Sequence, residues 1–235
     1  MKKMILSAVM LVLAASGYAQ ETGAAGAGER NEWLPTFEAV AVDADLDVKF
    51  VRVPDTEAPK IVYDTKGSYT TKFRAEVKDK TLRISEKPDS RRPDRTEVTV
   101  YYNALRAVSL SGAAATFEGT LDAAVLDVTV NRKASLTAKL DVKDLKMEQT
   151  GYSTANLSGS VRYLSLYVST GKVAASDLEV MSAEVNAQSK AEVSLWITDR
   201  FVGKTTTNAR ISYKGDPKIV RGGAKFMGGE INRVE

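Results

Sequence analysis

The chain has 235 residues, with 33 basic and 30 acidic side chains and a formal net charge of +3. Without Lys2 and Lys3, which lie in a predicted signal peptide, 31 basic side chains stand against 30 acidic ones; this balance predicts neither nucleic-acid binding nor attraction to anionic membranes. The chain contains no histidine and no cysteine, which excludes Ser-His-Asp catalysis, thiol nucleophiles, disulfides and thiolate metal sites.

Residues 1–19 have the pattern of a secretory signal peptide. Lys2 and Lys3 precede the apolar run MILSAVMLVLAA, which is short for a bilayer-spanning helix, and the small residues Gly17 and Ala19 end the segment. A membrane anchor is the alternative. We therefore expect an exported protein, located in the periplasm, on the outer-membrane surface or outside the cell. We expect no later transmembrane segment.

Residues 20–34 are rich in glycine and alanine and are predicted to form a flexible lead. Residues 35–104 contain alternating stretches such as FEAVAV and TEVTVYY, separated by turn signals. We interpret this region as β-strands that cap the structure that follows, because the end of a strand stack leaves backbone groups unpaired. The charged loop Glu86–Arg95 lies within it; a solvated loop is the simpler interpretation, and contact with a partner is the other.

Residues 105–215 contain about six copies of a unit near 19 residues long. Each copy has an alternating strand, a small polar residue, a short turn and a second strand, as in LKMEQTGYSTANLSG. Alignment on the polar residue produces a column formed by Ser111, Asn131, Thr150, Ser169, Asn186 and Thr206. Five residues before it lie Leu126, Leu145, Leu164, Met181 and Phe201, and five after it lie Thr116, Leu136, Ala155, Ala174, Ala191 and Ile211. Recurring apolar columns are typical of stacked repeats, in which one unit cannot bury its face alone.

A unit of this length is too short to hold a strand and a crossover helix. One coil per unit would place each strand parallel to its counterpart at roughly 4.8 Å. We therefore predict an all-β fold: a parallel β-helix-like solenoid of about six short rungs, preceded by the β-strand capping region. A β-sandwich is the main alternative, because closely spaced short strands suit it as well. Residues 216–235, with two Gly-Gly pairs, are predicted to form a Gly-rich C-terminal cap.

Three stretches of the chain resemble a known family. They are FEAVAVDADLDVKFVRV, LRISEKPDSRRPDRTEVTVYYNALRAVSLSGAAA and ISYKGDPKI. The chain is similar in them to the "putative auto-transporter adhesin, head GIN domain" family, exported proteins of Bacteroides-like bacteria. The family's Ser-Gly-Ala-Ser motif is intact only as Ser111-Gly112-Ala113 and is altered in the later copies. The resemblance covers roughly residues 35–235 and implies a solenoid-like all-β fold and an adhesion role.

The remaining candidates for chemistry are carboxylates. Asp43, Asp45 and Asp47 alternate along a predicted strand, so their side chains share one face and would offer oxygen ligands to Ca²⁺. The glycine and distal glutamate of an EF-hand loop are absent, and the polar face of a half-exposed strand is the simpler interpretation. No paired carboxylates suit glycoside cleavage. We predict no catalytic residue, no cofactor, no metal site and no enzymatic activity.

Aromatic side chains in the repeats are the better candidates for a binding surface. Rings on the outward faces of neighbouring rungs would offer a stacking surface for sugars or protein, although aromatic residues also fill the corners of all-β folds. The candidate residues are Tyr152, Tyr163, Tyr167, Trp196 and Tyr213.

Three functional hypotheses follow. The first is a non-catalytic adhesion or binding module of the cell envelope, whose partner is a surface glycan or protein and not nucleic acid. The second is a structural envelope protein that self-associates as a homo-oligomer. The third is a carbohydrate-active enzyme on a β-helix. The first agrees best with the missing catalytic residues and with the family resemblance.

Overall fold

The structure, a computed structural model, describes residues 28–66, 72–88 and 94–234. The predicted signal peptide and most of the flexible lead lie outside the described residues. Within these ranges the chain is nearly all β, without an α-helix, and forms a 16-stranded wound sheet. The strands are β1 (Glu29–Trp33), β2 (Ala39–Asp43), β3 (Asp47–Arg52), β4 (Lys60–Asp64), β5 (Phe73–Lys78), β6 (Thr81–Glu86), β7 (Glu97–Tyr102), β8 (Ala107–Ser111), β9 (Ala114–Asn131), β10 (Ser135–Gln149), β11 (Ser153–Ser169), β12 (Gly171–Gln188), β13 (Glu192–Thr206), β14 (Arg210–Lys214), β15 (Ile219–Phe226) and β16 (Glu230–Arg233).

The long strands β9 to β13 stack in parallel, one rung on the next. The pairing of β10 with β11 runs from Ser135 opposite Thr154 to Gln149 opposite Val168, so equivalent residues of successive units lie side by side. This arrangement confirms the predicted parallel β-solenoid of about six turns. The β-sandwich alternative is wrong, because no strand pairs antiparallel within the repeats that the structure describes.

Each long strand bends as it winds around the coil. In β10, buried and exposed residues alternate up to the adjacent exposed residues Lys143 and Asp144, after which the alternation resumes. Two consecutive outward residues mark a corner, since a straight strand points successive side chains to opposite faces. The inward residues stack into columns that form one continuous core, such as Leu126, Leu145, Leu164, Ala183 and Phe201.

The register differs from the predicted polar column, and from the apolar column before it, in the fifth unit. Gln188, not Asn186, lies beside Ser169 in the polar column, and Ala183, not Met181, follows Leu164. A slip of two residues keeps every side chain on its own face, so alternation alone does not reveal it. The column after the turn was also misplaced: its inward members are Ala115, Leu136, Ala155, Val173, Val193 and Ile211, which replace Thr116, Ala174 and Ala191.

The strands of residues 35–104 take part in the coil itself. β2 pairs in parallel with β6 and β8, and β3 pairs in parallel with β7 and β9. The rung made by β2 and β3 is therefore inserted between the β6–β7 rung and the β8–β9 rung, which come later in the chain. Antiparallel pairing of β1 with β4, β4 with β7 and β5 with β6 borders this end.

The N-terminal rungs bury an aromatic cluster. Phe50 stacks on Phe117 with ring centroids 4.5 Å apart, and Tyr102 meets both rings edge-on. Burial raises the pKa of Tyr102 to about 12, so its hydroxyl stays protonated inside the core at physiological pH.

The last rung consists of β15 and β16. β15 pairs with β13, and β16 pairs with β14, both in parallel. Val220 continues the inward column of Leu126 and Phe201, yet it is 51% exposed. Among the residues that the structure describes, no further strand covers it.

Candidate functional site: the turn edge

One side of the coil carries the turns that lead from each rung to the next. We call it the turn edge and define it by its residues with left-handed backbone: Gly112, Arg132, Lys133, Gly151, Tyr152, Thr170, Ser189, Lys190, Thr207, Asn208, Met227 and Gly228. Nine of these twelve residues are not glycine, although a positive φ costs an L-residue about 1–2 kcal/mol. Strain of this kind persists where the surrounding structure holds it, and it clusters at binding sites.

Hydrogen bonds close several of these turns in the same way. The amide of Ala134 donates to the carbonyl of Asn131 at 3.0 Å, and the amide of Ala191 donates to Gln188 at 3.1 Å. With positive φ at both central residues, these are type I′ turns. The turn that carries Tyr152 is held differently: the buried Gln149 amide donates to the carbonyls of Ser153 at 2.8 Å and Lys172 at 3.0 Å. The repeat therefore presents a regular row of rigid turns to solvent.

A cleft of about 620 Å³, which we call the basic cleft, opens at the N-terminal end of the turn edge. Its volume falls in the range typical of small-molecule sites. Six cationic side chains against three carboxylates leave an excess of three positive charges in its lining, on a protein that is otherwise nearly neutral. The charged residues are Lys72, Arg74, Lys87, Arg95, Arg132 and Lys133, with Asp43, Asp45 and Glu86.

The candidate calcium ligands are engaged by arginines. Arg132 Nη1 lies 2.9 Å from Asp43 Oδ1, which also accepts a hydrogen bond of 3.0 Å from Ser111 Oγ. Arg95 contacts Asp45 at 2.7 Å and Asp47 at 3.2 Å. Within residues 28–66, 72–88 and 94–234, no group of three or more acidic, histidine or cysteine side chains is placed to hold a metal ion. These aspartates instead fix two guanidinium groups at the cleft.

Three cations of the basic cleft have no ion pair within the described part of the chain: Arg74, Lys87 and Lys133. All three are exposed. Arg74 lies in β5 opposite Ser85 of β6, Lys87 directly follows β6, and Lys133 lies in the turn between β9 and β10. Residues 89–93 of the predicted charged loop lie outside the described residues. Because exposed charges remain hydrated and mobile, these three can turn toward an incoming anion without breaking an existing pair.

A second cleft, of about 480 Å³, follows along the same edge, and we call it the tyrosine cleft. Its lining combines Tyr152 with hydroxyl-bearing side chains and the charged residues Lys172, Lys190 and Glu192. Tyr152 is 73% exposed and occupies a left-handed turn position. An exposed ring surrounded by hydroxyl groups offers a stacking platform and hydrogen-bonding partners together. The hydroxyl-bearing residues that face the cleft are Thr154, Thr170, Ser189 and Thr207. Ser153 also lines it, but its buried hydroxyl is engaged with the carbonyls of Val130 and Thr150.

The two clefts lie on successive turns. Lys133 of the basic cleft and Tyr152 of the tyrosine cleft belong to neighbouring rungs, and the amide of Lys133 donates to the carbonyl of Gly151 at 2.9 Å. Adjacent strands lie about 4.8 Å apart, so the clefts adjoin along the coil axis. The turn edge is therefore one elongated surface, cationic at one end and aromatic with hydroxyl groups further along.

The predicted aromatic residues do not share a surface. Tyr152 lies on the turn edge. Tyr163 is 50% exposed at a corner of β11, and Tyr167 is half-buried and contacts the Gln188 side chain. Trp196 is half-buried beneath Lys214, whose Nζ lies 5.0 Å from the ring centroid.

Tyr213 does not belong to any exposed face. It is only 8% exposed, and its ring centroid lies 4.8 Å from that of Phe201 in the core. The expectation of an outward ring fails because Tyr213 continues the inward column of Leu195, its partner in β13. Of the five predicted rings, Tyr152 alone lines one of the two clefts.

Sequence reasoning missed the cations of the basic cleft. They come from β5, the segment after β6 and the β9–β10 turn, which no local pattern connects. The charged loop Glu86–Arg95 is the one sequence feature that pointed to this cleft, because its Arg95 pairs with Asp45 and Asp47. The inserted β2–β3 rung is what brings these segments together.

Other strong electrostatic contacts lie outside the clefts. A hydrogen bond from Lys80 lowers the pKa of Glu38, and a hydrogen bond to Glu118 raises the pKa of Lys49. Both pairs tie neighbouring rungs together, and both are solvated.

Among the described residues there is no helix that is long and apolar enough to cross a bilayer.

Solved structures of bacterial proteins share this fold. A protein described as a putative adhesin from Bacteroides fragilis NCTC 9343 is 18% identical, with a TM-score of 0.79 over 88% of this chain and 96% of that one. Another putative adhesin, from Parabacteroides merdae ATCC 43184, is 19% identical, with a TM-score of 0.66 over 88% of this chain and 95% of that one. A protein described as a putative lipid binding protein from Parabacteroides distasonis ATCC 8503 is 16% identical, with a TM-score of 0.62 over 89% of this chain and 98% of that one. At these identities the likeness shows the fold alone.

The sequence comparisons agree with the resemblance noted for the three stretches. No curated protein matches the sequence. The model of one family, however, matches residues 36–217 and therefore most of the chain, including both clefts. The chain belongs to the family described as "putative auto-transporter adhesin, head GIN domain".

Proposed function

We propose that this protein is an exported, non-catalytic binding module of the cell envelope, and that its turn edge binds an extended surface glycan. The exposed Tyr152 ring between hydroxyl-bearing turns is the observation that carries the proposal. A sugar ring would stack on the tyrosine, and its hydroxyl groups would exchange hydrogen bonds with the serine and threonine side chains. A linear edge suits a polymer better than a compact ligand.

Two observations favour a binding role over catalysis. Asp43 and Asp45 are held by arginines, and Glu86 accepts hydrogen bonds from Thr96 at 2.9 Å, so the cleft carboxylates serve the structure of the cleft. Glycoside cleavage needs a pair of carboxyl groups free to act as acid and as base or nucleophile. The family's adhesin description supports the same choice.

A lipid ligand inside the coil is disfavoured. One of the solved relatives is described as lipid binding, and an acyl chain would need a roomy apolar cavity. The space between Leu126, Leu145 and their neighbours in this core is only about 10 Å³. That is about the size of a single water probe. The outer turn edge is therefore the better binding surface.

The proposal predicts that Tyr152→Asn weakens glycan binding by about three- to tenfold, the loss expected for one stacking contact. Asparagine is chosen because it tolerates the left-handed backbone at this position. Purified residues 20–235 would be screened on a glycan array, and the affinity of each hit would be measured by calorimetry. Tyr163→Thr removes another exposed ring, 50% exposed, from a corner of the coil and should bind as the wild type does. Equal losses for the two variants, or no glycan binding by the wild type, would reject the proposal.

Self-association is a second candidate, favoured by the last rung. Val220 lies in an inward column but is 51% exposed, and Met227, in the turn that follows β15, is 64% exposed. A second copy covering this open end would bury both side chains and pair the free strand edge.

This candidate predicts concentration-dependent oligomers in size-exclusion chromatography with light scattering. Val220→Lys should abolish them, because it would place a charge in the buried contact. Val125→Lys is the matched control, since Val125 is 53% exposed on the side of the coil. A monomer at every concentration, or equal effects of the two lysines, would reject self-association through this end.

A further inference from the structure

We propose that the basic cleft binds the acidic groups of a polyanionic polysaccharide, and that this cleft makes the turn edge selective for acidic over neutral glycans. The inference rests on the proposed glycan-binding function and adds the charge of the ligand. It is carried by the cleft of about 620 Å³, its excess of three positive charges and the three cations Arg74, Lys87 and Lys133, which form no ion pair with any described residue.

The positions of the three cations favour a polymer over a compact anion. Arg74 and Lys87 belong to the β5–β6 end of the cleft, and Lys133 lies on the turn after β9. The strands β6, β2, β8 and β9 are successive neighbours, so Lys87, which follows β6, is about 14 Å from Lys133 along the coil at three strand spacings. Arg74 on β5 lies one strand further away. A single phosphate or carboxylate does not span that distance, whereas charges repeated along a chain do.

Two arginines of the cleft are already oriented by carboxylates. Arg132 pairs with Asp43, and Arg95 pairs with Asp45 and Asp47. A guanidinium has five N–H donors, so each arginine keeps donors beyond those used in these bonds. These arginines orient an incoming acidic group, and the exposed cations neutralise the rest of its charge.

The neighbouring tyrosine cleft indicates that the polyanion is a glycan. Lys133 and Tyr152 lie on successive turns, so a chain whose acidic groups occupy the basic cleft would continue over the aromatic ring and the hydroxyl groups. Nucleic acid carries a charge at every nucleotide and fits less well, because Lys172 and Lys190 against Glu192 leave the tyrosine cleft an excess of only one positive charge.

The test uses a variant that carries Arg74→Gln, Lys87→Gln and Lys133→Gln together. Its control carries Lys139→Gln, Lys143→Gln and Lys146→Gln, which remove the same three charges from exposed positions of β10. Binding of polygalacturonate, chondroitin sulfate and neutral dextran to residues 20–235 would be measured at several salt concentrations. Single-stranded DNA serves as a competitor. The first two probes separate carboxylate recognition from sulfate recognition.

We expect the wild type to bind at least one acidic polysaccharide more tightly than neutral dextran. The cleft variant should lose at least tenfold in that affinity and show a weaker dependence on salt, while the control variant stays within twofold of the wild type. Equal losses in both triple variants, no preference for acidic over neutral polymers, or effective displacement by DNA would each overturn the inference. If Tyr152→Asn weakens neutral glycan binding while the cleft variant changes nothing, the proposed function stands and this inference fails.

Discussion

Gly159→Ala is expected to lower the free energy of unfolding by about 3 kcal/mol or more, from left-handed strain and overpacking combined. Gly159 has a φ of +102° and lies directly opposite Leu140 of the neighbouring rung. A Cβ at this position would lie 2.0 Å from the Leu140 carbonyl oxygen. Since that oxygen belongs to the backbone, the rungs themselves would have to separate. Chemical denaturation followed by circular dichroism would measure the loss.

Gly119→Ala is the matched control. Gly119 lies in β9 where the register with β10 shifts between Thr116 and Thr120; its φ is +77°, but no atom lies within 4 Å of the position that a Cβ would take. Its alanine variant should lose only the cost of the left-handed backbone, about 1 kcal/mol. Equal destabilisation by the two substitutions would contradict the close approach of the rungs at Gly159.

Leu136→Asp is the second substitution with a large expected effect. Leu136 is 3% exposed and lies in an inward column between Ala115 and Ala155. An aspartate there would bring a carboxyl group into an apolar core without a partner, at a cost of several kcal/mol. For a chain of this length we expect the midpoint of thermal unfolding to fall by about 10 °C.

Lys133→Asp introduces the same side chain three residues earlier, on the turn edge. Lys133 is exposed, and its φ of +64° is one that aspartate tolerates well. Its midpoint of thermal unfolding should stay close to that of the wild type. Comparable destabilisation by the two aspartates, measured by scanning calorimetry, would show that the inward register of this rung is wrong.

The alternation of polar and apolar residues predicts the architecture of the fold better than it predicts which residues pair between neighbouring rungs. It identified the parallel solenoid, because an outward polar residue and an inward apolar one recur in every unit. It predicts Asn186 in the polar column, where the structure has Gln188. A shift of two residues leaves every side chain on the same face of the strand, so only the hydrogen bonds between strands distinguish the two registers. The inward position of Tyr213 agrees with alternation, since it lies two residues after the inward Ile211; the expectation of an outward ring did not apply that pattern.

For the candidate site, the sequence predicts less and the tertiary structure decides more. Tyr152 was identified as an aromatic residue in a repeat, but its place on the turn edge follows from the left-handed turn that the buried Gln149 helps to hold. The alternation of Asp43, Asp45 and Asp47 predicts that their carboxylates share one strand face, where they would offer ligands to Ca²⁺. Their partners Arg132 and Arg95 lie about 50 to 90 positions away in sequence, so no local pattern pairs them.

The sequence by itself favoured the coil, because apolar columns that recur about every 19 residues are typical of stacked repeats, and the parallel pairing then decided against a β-sandwich. It also shows that the chain has no histidine and no cysteine from which a Ser-His-Asp triad or a thiol nucleophile could be built. Only the tertiary structure decided where a ligand can bind. The insertion of the β2–β3 rung between β6–β7 and β8–β9 brings the aspartates and the distant cations to one edge. Such an insertion depends on which strand edges pair in three dimensions, and the backbone hydrogen bonds that decide this leave no periodic signature in the side chains.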